Sequence, residues 1–152
     1  MVEFAYRHGL RVSELVEFQR TDIRFNEKRL WVKRKKRGVA HFHSINGQEV
    51  RDLKRVIKEG GDSRYLFVTN RGGPFTTKAF EQMLKRAAAR VDDLKGLRVH
   101  PHMLRHGRGH VLVNDGTDTR RIQEFLGHRS IQHTVRYTHL DEDKLEGLEE
   151  CR

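Results

Sequence analysis

The sequence of residues 101–137 reads PHMLRHGRGHVLVNDGTDTRRIQEFLGHRSIQHTVRY, and its breakers and caps predict a series of helices. Pro101 suits the first turn of a helix that continues to about Asn114. Asp118 is placed to cap a second, shorter helix, which Gly127 would end. A further short helix follows it. We therefore expect this part of the chain to be a series of helices separated by short connections.

Upstream of this segment, the sequence predicts more helices around one β-hairpin. Residues 30–32 have strand character, and the return strand is expected within residues 39–45. A short helix over residues 2–6 and another capped by Ser13 precede the hairpin. Apolar residues recur at helical spacing in two further segments, namely Val50, Leu53, Val56 and Ile57, and Phe80, Met83, Leu84, Ala87 and Val91. The prediction is a mostly α (α+β) fold with a small antiparallel β-sheet or hairpin.

Length and charge restrict the class of protein. The 152 residues suit one domain over 1–152, and 31 Lys+Arg against 21 Asp+Glu give a formal charge of +10. Such a charge favours a polyanionic partner, although it does not by itself distinguish DNA from RNA or an acidic surface. The single cysteine, Cys151, cannot form an intrachain disulfide, and no apolar stretch approaches the roughly 20 residues that cross a bilayer. We expect a cytoplasmic protein.

The helix that begins at Pro101 carries a candidate phosphate site. His102 and Arg105 are three residues apart, so both side chains lie on one helix face. A guanidinium can donate paired hydrogen bonds to phosphate oxygens. Taken alone, such a pair more often lies on a solvated face. A zinc site through His102 and His106 is not expected, because the segment lacks the glutamate of a metalloprotease and no cysteine completes the ligands.

Three other segments strengthen the phosphate hypothesis. Residues 9–15 (GLRVSEL), 126–128 (LGH) and 134–139 (TVRYTH), read together with the His-x-x-Arg pair, resemble the signature boxes of the tyrosine recombinase (phage integrase) family. The resemblance extends from about Tyr6 to His139. It is closest to the short recombinases that invert fimbrial promoter segments, through residues 101–106, 118–120 and 133–135.

The resemblance implies a role for each matching residue. Arg11 and Arg105 match the two arginines that hold the non-bridging oxygens of the scissile phosphate. His102 and His128 match the histidines that hydrogen-bond this phosphate or move protons. Tyr137 matches the nucleophile. The reaction would be site-specific recombination through a 3′-phosphotyrosyl intermediate, with no metal or nucleotide cofactor.

The predicted hairpin tip carries the remaining candidates. The family's catalytic lysine lies on the hairpin, which assigns it to Lys36, with Lys35 as the second candidate. A lysine there can protonate the leaving 5′ oxygen if surrounding positive charge lowers its pKa. The rest of the basic run is predicted to contact DNA phosphates, namely Lys33, Arg34, Lys35 and Arg37.

The resemblance also implies partners and a domain context. The expected partners are double-stranded DNA and further copies of the chain, as a homo-oligomer of four protomers on two DNA sites. Arg11 stands near the start of the chain, so we expect a catalytic domain without its first helix and without an N-terminal DNA-binding domain. Loss of that helix would expose apolar surface around Leu10 and Leu15. The tail from Asp141 would contact a neighbouring protomer.

Other functions remain open at this point. A type IB topoisomerase-like activity would use related chemistry without a partner site. A catalytically silent DNA-binding module, such as a truncated recombinase, would retain DNA without cutting it. A metal-dependent nuclease is the most distant alternative.

Overall fold

The computed structural model describes residues 1–35 and 38–137, which form a helical domain with one small sheet. Within these residues, seven α-helices occur: α1 Val2–Arg7, α2 Val12–Val16, α3 Gly47–Glu59, α4 Thr77–Ala88, α5 Pro101–Asn114, α6 Thr119–Leu126 and α7 Gln132–Val135. Three strands accompany them: β1 Ile23–Arg24, β2 Arg29–Val32 and β3 His41–Ser44. The predicted mostly α fold with a small antiparallel sheet is confirmed.

The sheet is antiparallel with the order β1-β2-β3. Leu30 of β2 pairs with both outer strands, with Ile23 on one side and His43 on the other. Strands β2 and β3 are the predicted hairpin, although the return strand is shorter than the predicted 39–45. The described part of the basic run, Lys33 to Lys35, follows β2 directly.

Most helix ends follow from local capping chemistry. The Asp118 side chain accepts hydrogen bonds from the backbone N–H groups of α6, and Gly127 ends that helix in the left-handed conformation with φ +64°. The prediction that Ser13 caps a helix is wrong, because Ser13 lies inside α2. The N-cap is Arg11, whose backbone N–H donates to the Glu14 carboxylate at 3.0 Å.

The main core packs α1, α2 and the sheet against α3 and α4. Leu10 and Leu15 lie in this core and are 2% and 0% exposed, so the expected apolar surface around them is absent. A second cluster is formed by Ile122 and Leu126 of α6 with Tyr137 after α7. Helix α5 contacts α1, α4 and α6, which places its residues between the two clusters. Within residues 1–35 and 38–137, no helix is long and apolar enough to span a bilayer.

Candidate active site

Arg105 on α5 holds together segments that are distant in sequence. Its side chain is buried, Nη1 donates to the Gly9 carbonyl at 2.5 Å, and Nη2 donates to the Leu126 carbonyl at 2.5 Å. Burial, followed by the charges of Arg11 and Arg34, lowers the pKa of Arg105 to about 9. The guanidinium therefore stays protonated at neutral pH. Two backbone carbonyls fix its orientation, as expected for a guanidinium that is preorganised to bind a phosphate.

Arg11 is positioned by the buried carboxylate of Glu14. Nη1 of Arg11 donates to Oε1 at 2.7 Å, while Arg34 Nη1 donates to Oε2 at 2.8 Å and the Lys35 backbone N–H to Oε1 at 3.1 Å. Burial opposes ionisation of Glu14, but Arg34 and the hydrogen bonds from Arg11 outweigh it and lower the pKa of this carboxyl. Glu14 is thus an anion between two guanidinium groups.

Arg34 does not have the role predicted for it. Its side chain is 0% exposed, and besides its ion pair with Glu14 it donates to the backbone carbonyls of His8, Gly9 and Phe125. In this position the guanidinium is paired with a buried carboxylate, so its charge is compensated in the interior and is not offered to a DNA phosphate. The prediction of Arg34 as a DNA contact is therefore wrong, and its charge serves the interior next to the site.

The neighbouring lysines reach the surface. Lys33 forms an ion pair with Asp22, with Nζ 2.6 Å from Oδ1, and its side chain is 59% exposed. Lys35 pairs with Glu17 and is 40% exposed. Two predicted residues of this run lie outside the described part of the chain, namely Lys36 and Arg37.

Tyr137 is buried against α5. Its ring lies so close to Gly109 that a Cβ there would be 2.9 Å from Cε1 and Cζ of the tyrosine. The His110 ring meets it edge-on at 5.2 Å, and the His128 ring is parallel to it at 6.2 Å. The hydroxyl is 3.0 Å from Nδ1 of His106. The tyrosine is therefore fixed on several sides.

Burial and the nearby charges have opposite effects on the pKa of Tyr137. Burial raises the pKa of the hydroxyl, and the cations Arg105, Arg136 and Arg11 lower it in part. Burial is the larger effect, so the hydroxyl is a neutral phenol in the free domain. Both predicted catalytic arginines thus act on the predicted nucleophile.

His128 is a neutral imidazole in the same site. Nδ1 lies 2.9 Å from the hydroxyl of the buried Thr134, and the backbone carbonyl accepts from Gln123 Nε2 at 3.1 Å. Burial, then Arg105 and Arg11, lowers the pKa of His128 to about 3. His128 is therefore a hydrogen-bonding group and not a cation at neutral pH.

His102 lies at the edge of this cluster. It is exposed near the start of α5, and its ring centroid is 6.3 Å from that of His106. Its charge, when present, lowers the pKa of His106. The structure thus brings Arg11, Arg105, His128 and Tyr137 into one site, with His102 joined to it through His106.

Comparison with known proteins gives this arrangement a family. The family model described as the phage integrase family matches residues 1–144. The chain belongs to the phage integrase family. Among its relatives in this family, the type 1 fimbriae regulatory protein FimE of Escherichia coli (strain K12) is 35% identical over 97% of this chain and 77% of its own length. Tyrosine recombinase XerC of Bacillus licheniformis is 33% identical over 95% of this chain and 50% of its own length.

Solved structures of integrase-family proteins share the fold. The crystal structure of XerA recombinase has a TM-score of 0.73 and 30% identity over 93% of this chain. XerH site-specific recombinase bound to a palindromic difH substrate has a TM-score of 0.81 over 99% of this chain, with 22% identity. The chain spans 52% and 44% of these two proteins, so it matches about half of each.

The family assignment bears out the main prediction from the sequence. Membership of the tyrosine recombinase family, likeness to the fimbrial recombinases and the class of DNA breaking-rejoining enzyme are confirmed. The roles of individual residues are not tested by these comparisons.

Several residues that shape this integrase-family site were not predicted. Glu14 follows Arg11 by three residues, a capping-box spacing that could have identified it. His106 was considered only as a zinc ligand, yet it is the hydrogen-bond partner of Tyr137. His43 received no role from the sequence, yet it is 3% exposed and lies within hydrogen-bond distance of His8, because β3 turns it inward.

Proposed function

We propose that this domain cuts and rejoins duplex DNA in site-specific recombination, with Tyr137 forming a covalent bond to the 3′ phosphate. One observation carries the proposal. The hydroxyl of Tyr137 shares a site with the guanidinium groups of Arg11 and Arg105 and the neutral imidazole of His128. These side chains come from opposite ends of the described chain, and a common phosphate ligand accounts for their convergence.

The two arginines bind the non-bridging oxygens of the scissile phosphate. Charge builds on these oxygens as the nucleophile attacks, and cations already aimed at them lower the barrier without reorganisation. Arg105 meets this requirement because two backbone carbonyls hold it. The guanidinium of Arg11 is oriented by its hydrogen bond to the Glu14 carboxylate.

His128 donates a hydrogen bond to the same phosphate. If the Thr134 hydroxyl donates to Nδ1, the ring proton resides on Nε2, which can then donate to an oxygen of the substrate. The low pKa of this histidine keeps the ring neutral in the free domain. His102, exposed on α5, contributes a second imidazole at the entrance of the site.

The leaving 5′ oxygen needs a proton, which Lys36 supplies as general acid, with Lys35 as the second candidate. Lys33, Lys35 and Arg37 add non-specific phosphate contacts. No metal or nucleotide is required, because the phosphotyrosyl bond conserves the energy of the broken phosphodiester. Recombination would take place in the cytoplasm, on double-stranded DNA, with four protomers assembled on two sites.

The test is covalent capture on a nicked suicide duplex, with the target site first selected from a randomised duplex library by retention on the protein. We expect Tyr137→Phe to abolish the covalent adduct and leave DNA retention unchanged. The matched control is Tyr65→Phe, since the Tyr65 hydroxyl bonds to Arg64 outside the site and its loss should not affect capture. Equal capture by the Tyr137 variant would refute the mechanism.

The same preparations separate the alternative functions. Retention of the selected duplex without any adduct by the unmodified chain would favour a silent DNA-binding module. Relaxation of supercoiled plasmids that lack the selected site would favour the topoisomerase-like activity.

A further inference from the structure

We infer that His106 is the base that removes the proton from the Tyr137 hydroxyl, an inference that rests on the proposed function. Nδ1 of His106 lies 3.0 Å from the tyrosine oxygen, within the reach that general-base catalysis requires. His106 touches the reacting atom directly. It therefore qualifies as a catalytic residue and not only as a neighbour of one.

Helix α5 and the packing of the buried Tyr137 ring hold the hydrogen bond in place, while His106 itself is exposed. His106 follows Arg105 on α5, which is fixed by that arginine's two bonds to backbone. The tyrosine ring rests on Gly109 of the same helix, one turn further along, with the His110 ring edge-on to it. The base therefore lies on α5, and the ring of the nucleophile packs against the same helix from the segment after α7.

The other imidazoles around the tyrosine are less suited to this step. His128 already uses Nδ1 toward the Thr134 hydroxyl, and its ring is stacked parallel to the tyrosine ring at 6.2 Å. His110 presents its ring edge-on at 5.2 Å. His106 is placed differently, with Nδ1 3.0 Å from the Tyr137 hydroxyl.

The charge around His106 makes its proton uptake depend on DNA. Burial lowers the pKa of His106, and further lowering comes from the groups that face it, namely His102, Arg105, Arg136 and His110. The ring is therefore neutral in the free domain and can accept a proton. A DNA phosphate bound by Arg105 brings the negative charge that favours the imidazolium. Deprotonation of the tyrosine would then occur when substrate is present.

The step balances without a further reactant. The O–H bond of Tyr137 breaks, its proton passes to Nδ1 of His106, and the freed electron pair forms the O–P bond. The bond from phosphorus to the 5′ oxygen breaks, and that oxygen takes its proton from the lysine general acid. In rejoining, the 5′ hydroxyl attacks phosphorus and gives its proton back to the lysine, the O–P bond to the tyrosine breaks, and the imidazolium of His106 returns its proton to the tyrosine oxygen.

A hydrogen bond that only positions the tyrosine has to be distinguished from proton transfer. His106→Asn keeps an amide near the position of Nδ1 but supplies no base. His106→Ala removes both and leaves space for an added imidazole. His100→Asn is the matched control, because His100 is exposed at the N-cap of α5, where asparagine is well accepted.

The experiment measures the rate of covalent capture by the full chain on the selected suicide duplex. We expect both His106 variants to lose on the order of 100-fold in rate, with DNA retention and urea midpoint like those of His100→Asn. Added imidazole should restore capture in the alanine variant alone. The rise of rate with pH that reports a neutral histidine should be absent from both variants.

A duplex with sulfur in place of the bridging 5′ oxygen locates the defect. Its leaving group needs little protonation, so it should rescue Lys36→Ala but not His106→Asn. Capture by His106→Asn at the unmodified rate, or its rescue by sulfur, would overturn the inference and leave the proposed function intact. Absence of adduct from the unmodified chain would overturn both.

Discussion

The buried carboxylate of Glu14 is expected to contribute strongly to the free energy of unfolding, and Glu14→Gln tests this. The side chain is 1% exposed and accepts hydrogen bonds from Arg11, Arg34 and the Lys35 backbone. Glutamine preserves the shape and one acceptor oxygen but removes the charge. The Arg34 guanidinium, whose side chain is 0% exposed, would then be a buried cation without an anionic partner.

The expected loss is large relative to the stability of a small domain. Removing one partner of a buried ion pair costs about 3–5 kcal/mol, because the other charge stays desolvated. The Arg34 guanidinium also donates to backbone carbonyls, which soften the loss, so we expect about 3 kcal/mol. Domains of this kind have a total unfolding free energy of about 5–15 kcal/mol. The variant should fold, but with a clearly lower urea midpoint.

Urea unfolding of Glu14→Gln beside Glu17→Gln gives the measurement and its control. The same chemical change at Glu17 breaks an ion pair with Lys35 whose side chains are 58% and 40% exposed, so it should cost less than about 1 kcal/mol. Equal midpoints for the two variants would refute the claim that the buried carboxylate organises the site.

The pH dependence identifies charge as the cause. The pKa of Glu14 is lowered in the folded state, so its stabilising effect is complete above the ordinary value of 4.5 and is lost as pH falls through the folded pKa. The stability difference between the unmodified chain and Glu14→Gln should therefore narrow below pH 4.5. A difference that stayed constant there would assign the effect to packing.

Two further predictions concern packing and acid stability. Gly109→Ala should lower the rate of covalent capture at least tenfold, because its Cβ would lie 2.9 Å from the Tyr137 ring, whereas Gly107→Ala on the same helix meets only Tyr6 at 3.6 Å and should retain full rate. Burial lowers the pKa of His43 to about 2, so its stabilising effect is complete above the ordinary 6.5 and declines as pH falls. The free energy of unfolding, measured with urea, should fall by about 2 kcal/mol between pH 6.5 and 5 because of this residue. His43→Gln should lack that part of the pH dependence.

Helix positions could be predicted from the sequence because their signals are local. Pro101, Asp118 and Gly127 each act on backbone within a few residues, and the structure begins or ends a helix at each of them. The catalytic boxes were predicted for a different reason, because residues 9–15, 126–128 and 134–139 resemble the signature boxes of the phage integrase family. The family is confirmed, and the roles of the individual residues stay predictions. The hydrogen bond between His106 and Tyr137 follows from neither, because it depends on how the segment after α7 packs against α5.

Arg34 was predicted to contact DNA because it belongs to a run of basic residues. The alternation of inward and outward side chains along β2 would have placed it in the interior. Leu30 and Val32 face the core from β2, and the same alternation continues beyond the strand to turn Arg34 inward and Lys33 outward. The buried charge of Arg34 is compensated by the buried carboxylate of Glu14. The same carboxylate orients a predicted catalytic arginine, so one residue of the basic run stabilises the site from within while Lys33 and Lys35 stay at the surface. The domain has a formal charge of +10, so neighbouring cations repel each other. The Glu14 carboxylate between Arg11 and Arg34 offsets this repulsion and allows both guanidinium groups to lie close to the proposed phosphate site.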